Sequence, residues 1–206
     1  KQGVYVKHGI LCDALNEETE VIGDLSEARC LNGKHNWQNA AAAYAVCVKL
    51  GLKPEQVFQA IFSFPGLVHR QELVADINGV QYVNDSKATN SDAAIRALQS
   101  FEKIHWIAGG RAKEASFVGM LHAANNVKQA YFIGEAGTQF SDDLKSIPNQ
   151  VFVDLEEAFN AAVINAEEGD TILLSPACTA FDQFSDFEKR GKAFKELVRA
   201  HEGINS

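Results

Sequence analysis

Methionine is nearly absent: Met120 stands alone in 206 residues, and the chain opens on Lys1-Gln2-Gly3-Val4. A start without Met, running from a lysine straight into strand-like residues, is expected of a cut inside a longer protein. No apolar run approaches the ~20 residues of a membrane-spanning helix. Basic side chains are outnumbered, 19 Lys and Arg against 27 Asp and Glu, for a net charge of −8. That balance argues against nonspecific binding to nucleic acid or an anionic membrane, and still allows a small local phosphate site. The few cysteines, Cys12, Cys30, Cys47 and Cys178, form no C-x-x-C pair and have no histidines at zinc-ligand spacing. Cys47, in an apolar helical run, reads as a buried thiol, and a reducing, cytoplasmic setting is expected. The G-x-x-x-x-G-K-[ST] phosphate loop is missing altogether.

What is present is a change of rhythm along the chain. Val4–Leu15, broken at His8-Gly9, reads as a hairpin, and a polar connection from Asn16 to Lys34 leads to a helix over about Asn36–Leu50. Pro54 opens a second helix that runs to about Ser63, and Phe64-Pro65-Gly66 breaks the chain, placing a domain boundary there. Beyond it, Leu73–Ile77 and Val80–Asn84 flank Asn78-Gly79, a strong hairpin signal. Helices and apolar strands then alternate. Strands are expected at Ile104–Ala108, Gln129–Ile133, Val151–Asp154 and Thr171–Leu174, with helices over Asp92–Ser100, Phe117–Ala124, Gly137–Lys145, Glu156–Ala166 and about Asp182–Ala200. The pattern is that of an α/β fold: a mostly parallel six-stranded sheet with one antiparallel strand, covered on both faces.

Ligands of such sheets belong at the carboxyl ends of the strands. Asn84-Asp85-Ser86-Lys87-Ala88-Thr89-Asn90 follows one strand, Gly109-Gly110-Arg111-Ala112-Lys113 another, and Ser175 to Asp182 the last. Asp85 suits ribose hydroxyls, and Lys87 suits a phosphate or carboxylate. Helix capping by Asn90 or Ser91 explains part of the first loop but leaves Lys87 unexplained. The glycine turn before Arg111 and Lys113 suits an anionic ligand, and equally a solvated strand end. Asp182 serves as well for the cap of the final helix, and Phe181, Phe184 and Phe187 for its core stripe. Asn36 and Asn39 share one helical face where amides can read a base edge, with capping by Asn36 as the plainer alternative. Arg70, just past the boundary, fits either a surface position or a nucleotide.

Taken as a set, these residues resemble the Mur ligases. Gly33-Lys34-His35-Asn36-Trp37-Gln38-Asn39, Pro65 to Arg70, Val83 to Asn90 and Leu174 to Phe184, with Phe187-Glu188-x-Arg190-Gly191, occur in the family's order and spacing. The last block is similar to the D-glutamate-adding branch, and the Asp-Asn-Pro-Arg motif of the diaminopimelate-adding branch is absent. The resemblance implies a Rossmann-like C-terminal amino-acid-binding ligase domain at residues 66–206, preceded at residues 1–65 by the last part of a central ATPase domain. It implies ATP and Mg²⁺, with metal ligands mainly before Lys1, and the small-molecule substrates D-glutamate and UDP-N-acetylmuramoyl-L-alanine. No nucleic-acid or membrane partner and a monomeric state are expected, and the fragment alone is expected to be inactive.

By the same resemblance, Asn36 and Asn39 lie in the adenine region, and Arg70 and Asp85 hold the nucleotide. Lys87 is the catalytic cation between the terminal phosphate and the incoming amino acid. Thr89 and Lys113 bind the α-carboxylate of D-glutamate, and Ala180, Phe181 and Phe187 the side-chain carboxylate. Relatives often carry Ser at the position of Ala180, so a hydroxyl is missing that neighbouring Thr179 would have to replace. A folylpolyglutamate-type ligase and a non-catalytic Rossmann-like nucleotide-binding module are the alternatives.

Overall fold

A computed structural model of the chain describes residues 3–205 apart from 17, 29 and 32, with side chains to residue 203. Lys1 and Gln2, on which the expectation of a cut chain rests, lie outside the described residues. The chain divides into two compact units, 1–66 and 67–206.

In the first unit β1 (Gly3–Lys7), β2 (Ile10–Ala14) and β3 (Glu20–Asp24) form an antiparallel sheet in that order. His8 and Gly9 both take positive φ, 49° and 85°, as a two-residue hairpin turn requires. Helices α1 (Lys34–Lys49) and α2 (Pro54–Phe62) supply the rest of this unit's core around Leu11, Leu25, Tyr44 and Val57. Strand β3 falls within the stretch expected to be a polar connection. Its Val21 is 70% exposed, and a Cβ on Gly23 would come 2.2 Å from the Phe58 ring of α2. Gly23, without a side chain, is the place where an aromatic ring lies against the sheet. Helix α1 is capped by Gly33, so Asn36 sits in its first turn and does not cap it. Cys47 is only half-buried, a correction to the buried-thiol expectation.

The second unit is built on a six-stranded sheet in the order β4-β5-β9-β6-β7-β8. The strands are β4 (Glu72–Ile77), β5 (Val80–Asn84), β6 (Ile104–Gly109), β7 (Val127–Ile133), β8 (Asn149–Phe152) and β9 (Thr171–Leu174). Only the β4–β5 pair is antiparallel. Helices α3 (Ser91–Leu98), α4 (Gly137–Asp143), α5 (Leu155–Asn165) and α6 (Phe187–Asn205) cover the sheet. Because side chains alternate along a strand, β6 feeds both cores. Trp106 and Ala108 join Leu98, Phe132, Phe140 and Leu173 on one face, while Ile107 joins Tyr131, Phe159, Ile172 and Phe194 on the other. Each of the large fully buried apolar side chains among them contributes roughly 1.5–3 kcal/mol of transfer free energy. Trp106 also donates its indole N–H to the Ser175 carbonyl (2.8 Å), tying the core to the loop after β9.

Residues 118–123 form a short 3-10 helix instead of the expected α-helix. Phe117, at its start, stacks on Phe140 with ring centres 3.7 Å apart, and its N–H is taken by the Asp143 carboxylate at 2.7 Å. The final helix begins at Phe187, not near Asp182. Asp186 accepts the Lys189 N–H (2.7 Å) as its cap, whereas Asp182 turns away to accept the Glu135 N–H (3.1 Å). At the amino-terminal rim, Asp170 receives Lys128 (2.7 Å), the Glu167 N–H and the His105 ring (both 3.0 Å), and the other His105 nitrogen meets the Tyr131 hydroxyl. Among the described residues no helix is long and apolar enough to cross a membrane.

Candidate functional site

The polar chemistry of the second unit collects where β5, β9 and β6 end side by side. The loop after β5 is held from both sides. Asp85 donates its N–H to Leu174 O (2.8 Å), and its carboxylate accepts from Ser175 Oγ (2.9 Å) and the Gln71 N–H (3.2 Å). Only 6% of Asp85 is exposed, and this burial pushes its pKa up to about 7, against the lowering pull of Ser175, Gln71 and the Arg70 charge. The Arg70 side chain is itself exposed. Its neighbours His69 and Gln71 hold left-handed backbone (φ 63° and 44°), and the Gln71 side-chain oxygen is buried without a partner. Strain of this kind persists only where the surroundings impose it. The His69 ring is packed so closely on Gly191 that a Cβ there would stand 2.2 Å from Nδ1. Burial lowers the His69 pKa, and Nδ1 accepts from Asn84 Nδ2 (2.9 Å), which leaves the ring proton on Nε2.

Lys87 lies two residues beyond Asp85. Its N–H bonds His69 O (3.0 Å), and its Nζ stands 3.8 Å above the centre of the Phe187 ring. That ring in turn meets His69 edge-on at 6.1 Å. Lys87 is thus oriented by an aromatic face and not neutralised by a carboxylate, which keeps its charge available to an anion. Thr89 is half-buried, and Asn90 caps α3 through the Ala93 N–H (2.9 Å). Capping and the Lys87 arrangement therefore coexist in one loop.

Gly109 and Gly110 turn the chain after β6 with φ of 127° and 125°. A Cβ at Gly109 would lie 2.0 Å from Ile133 O, and one at Gly110 would lie 2.2 Å from Thr179 O, so neither position admits a side chain. Arg111 and Thr179 exchange backbone hydrogen bonds at 3.0 Å, joining the loops after β6 and β9. The Arg111 side chain is occupied by a two-pronged pair with Glu135 (3.0 and 2.9 Å). Lys113 is exposed and has no hydrogen bond or ion pair to any described residue. Of the two cations in this loop, only Lys113 is open to a ligand.

In the loop after β9, Ala180 is buried (2% exposed), Phe181 is 59% exposed, and Phe187 is half-buried at the start of α6. Phe181 is therefore not part of a core stripe. Thr179 Oγ1 donates to Arg111 O (2.9 Å). Burial raises the Cys178 thiol to about 12, which makes it inert as a nucleophile. Asn36 (half-buried) and Asn39 (exposed) belong to the first unit. Among the described residues no group of three His, Cys, Asp or Glu side chains is placed to hold a metal ion.

Sequence reasoning gave no role to Ser86, Arg190 or Glu114, although Ser86 and Arg190 stand within the motif blocks. Ser86 and Arg190 are buried (0% and 1% exposed), and Glu114 bonds Ser91 in the first turn of α3. Arg190 enters the sequence only as one position of the Phe187-Glu188-x-Arg190-Gly191 block, and its place between Lys189 and Gly191 does not show that it is buried.

Comparison with known proteins places the chain in a family. The family described as Mur ligase, glutamate ligase domain, matches residues 69–178. The UDP-N-acetylmuramoylalanine–D-glutamate ligase of Rhodospirillum rubrum is 47% identical over 201 residues, covering 95% of this chain and 42% of that protein. The protein of the same name from Phenylobacterium zucineum is 45% identical over 202 residues, covering 96% and 43%. The chain thus spans less than half the length of these curated relatives. Among solved structures, the UDP-N-acetylmuramate-alanine ligase of Thermotoga maritima aligns with a TM-score of 0.64 at 20% identity, over 96% of this chain and 45% of that one. FolC of E. coli in complex with ADP aligns at 0.62 and 20% identity, over 97% and 46%. At such identities the structural matches speak for the fold alone.

Proposed function

The chain belongs to the Mur ligase family, and on that premise we propose that the protein containing it joins D-glutamate to UDP-N-acetylmuramoyl-L-alanine at the expense of ATP, in peptidoglycan precursor synthesis. In this reading residues 66–206 are the amino-acid-binding ligase domain and residues 1–65 are the end of the ATPase domain. ATP phosphorylates the alanyl carboxylate, the D-glutamate amine attacks the acyl phosphate, and phosphate leaves.

The chain's own residues divide the work. Asp85 has both carboxylate oxygens already engaged by one donor each, and their remaining lone pairs suit ribose hydroxyls. Arg70 adds charge beside the nucleotide, and Asn36 and Asn39 contact the adenine region. Lys87, held over Phe187, offsets charge on the transferring phosphoryl group and draws in the amino-acid carboxylate. Thr89 and Lys113 hold the α-carboxylate. Ala180, Phe181 and Phe187 border the side-chain carboxylate, with backbone donors standing in for the missing hydroxyl. The observation that carries the reading is the open Lys113 and the aromatic-seated Lys87, on strand ends that flank β9, in a chain 47% identical to a D-glutamate ligase.

The test is phosphate release by the full-length protein, supplied with ATP, the UDP-linked alanyl substrate and each of several amino acids. Release that depends on D-glutamate, with a new amide product, is expected. Dependence on a folyl substrate and L-glutamate instead would transfer the chain to the folylpolyglutamate-type reading. Nucleotide binding without turnover in the full-length protein would favour a non-catalytic module.

A further inference from the structure

Arg190 lies in the first turn of α6, 1% exposed, and none of its hydrogen-bond acceptors is a carboxylate. A buried guanidinium facing only neutral acceptors is costly, and burial drags its pKa down to about 10. What the side chain gains is reach. Nε donates to Ser86 Oγ (3.0 Å), and Nη2 donates to Ser86 O and Cys178 O (both 3.0 Å). Nη1 points to Gly109 O at 3.4 Å. These acceptors belong to the ends of β5, β9 and β6, the strand ends that carry the candidate site. Ser86 Oγ, having accepted from Arg190, donates its own proton to Phe187 O (2.8 Å), so the ring under Lys87 is tied into the same node. A Cβ on Gly110 would lie 3.2 Å from Nη1, and the glycine turn leaves room for the guanidinium.

We propose that Arg190 is a positioning residue of the ligase site, fixing the loops that carry Lys87 and Thr89, Lys113 and Phe187 into one rigid receptor for the amino acid while touching no substrate. The inference rests on the ligase reading above. A planar fork with fixed donors can span separate loops at once, whereas a lysine ammonium is a single point and cannot. Asp85 has its own tethers to Leu174, Ser175 and Gln71, so the nucleotide side of the rim depends less on this node.

The test uses the full-length protein with Arg190→Lys and, as a milder change that deletes one hydroxyl, Ser86→Ala. Two measurements are made on each: the KM values for D-glutamate and ATP, and hydrogen exchange at the Lys87, Arg111 and Thr179 amides. For Arg190→Lys the D-glutamate KM should rise roughly ten- to a hundredfold, with the ATP KM within about twofold and a smaller change in the same direction for Ser86→Ala. Exchange at those loop amides should quicken while the β6 strand amides stay protected. Unchanged D-glutamate KM and loop exchange in both variants would overturn the proposal. So would an equal rise in both KM values with faster exchange throughout the sheet, the mark of a merely structural residue. If Arg190→Lys fails to fold, Ser86→Ala decides by the same criteria. Should the unmodified protein not use D-glutamate at all, the ligase reading fails by itself. The exchange measurement then still decides whether Arg190 holds the loops.

Discussion

The Glu114 carboxylate accepts both donors of Ser91, the backbone N–H at 3.0 Å through Oε1 and the hydroxyl through Oε2. Glu114 follows Lys113 directly, and Ser91 comes two residues after Thr89. The residues proposed to share one carboxylate are therefore tied through their neighbours before any ligand arrives. The contact also places a negative charge at the first turn of α3, where the helix dipole favours it. Glu114→Ala should cost about 1–2 kcal/mol, the range of a lost helix cap. Urea unfolding would show it as a lower midpoint, and an unchanged midpoint would count the contact as incidental.

Lys113 is exposed and without partners among the described residues, so removing its charge should leave the fold alone. Lys113→Met keeps the aliphatic stem. A charge-assisted hydrogen bond is typically worth about 1.5–3 kcal/mol, so the full-length variant should lose roughly ten- to a hundredfold in apparent D-glutamate affinity. Its melting temperature and ATP affinity should barely move. Normal D-glutamate kinetics would make Lys113 a solvated surface cation.

Asp85 gives a pH signature. Burial raises its pKa from 3.8 to about 7, so between those values the folded chain keeps a proton that the unfolded chain releases. The stabilising contribution is thus fully present below the unfolded value and is lost as pH rises through about 7. In Asp85→Asn this dependence disappears. The stability of the parent minus that of the variant should fall with rising pH across the window, by at most about 1.4 kcal/mol per pH unit. Denaturation series at several pH values read the difference directly. A flat difference, or one growing with pH, would mean that the carboxyl is ionised in the fold.

The glycine turn offers a matched pair. Gly109→Ala meets a backbone oxygen at 2.0 Å in left-handed backbone, while Gly119 has nothing within 4 Å of an added Cβ and no positive φ. Gly109→Ala should cost about 2 kcal/mol or more, and Gly119→Ala should be neutral or slightly stabilising. Thermal unfolding of the two side by side checks this. Equal effects would show that the turn relaxes freely.

What could be read from sequence was decided locally. Asn78-Gly79 forms its turn because both residues accept positive φ (53° and 77°), and β6 is an apolar run because both of its faces are buried. Strand β3 was hidden because its Gly23 answers to Phe58, 35 positions away in the chain (58 − 23). The start of α6 was misplaced because Asp182 is recruited by Glu135, a partner that no local pattern reveals. Asp85 and Lys87 stood out as unexplained polar residues at a strand end. Arg190 entered only as part of its block and without a role, since its value depends on acceptors as far as 104 positions away. Composition cannot distinguish such an arginine from a solvated one.

The sheet order β4-β5-β9-β6-β7-β8 places the last strand in the middle. During synthesis, the hairpin of β4 and β5 and the parallel set of β6, β7 and β8 emerge first, with no hydrogen-bonded edge in common. Strand β9, from Thr171 to Leu174, is the piece that joins them, and Arg190 follows only later, in α6. The rim formed by β5, β9 and β6 therefore has no existence on a nascent chain until nearly all of this unit has left the ribosome. Until then the inner edges of β5 and β6 are bare and apolar, a hazard to which slow-growing parallel sheets are exposed. Chains that terminate before Thr171 would be left with both edges open and no site, and would be candidates for aggregation and proteolysis rather than for ligand capture.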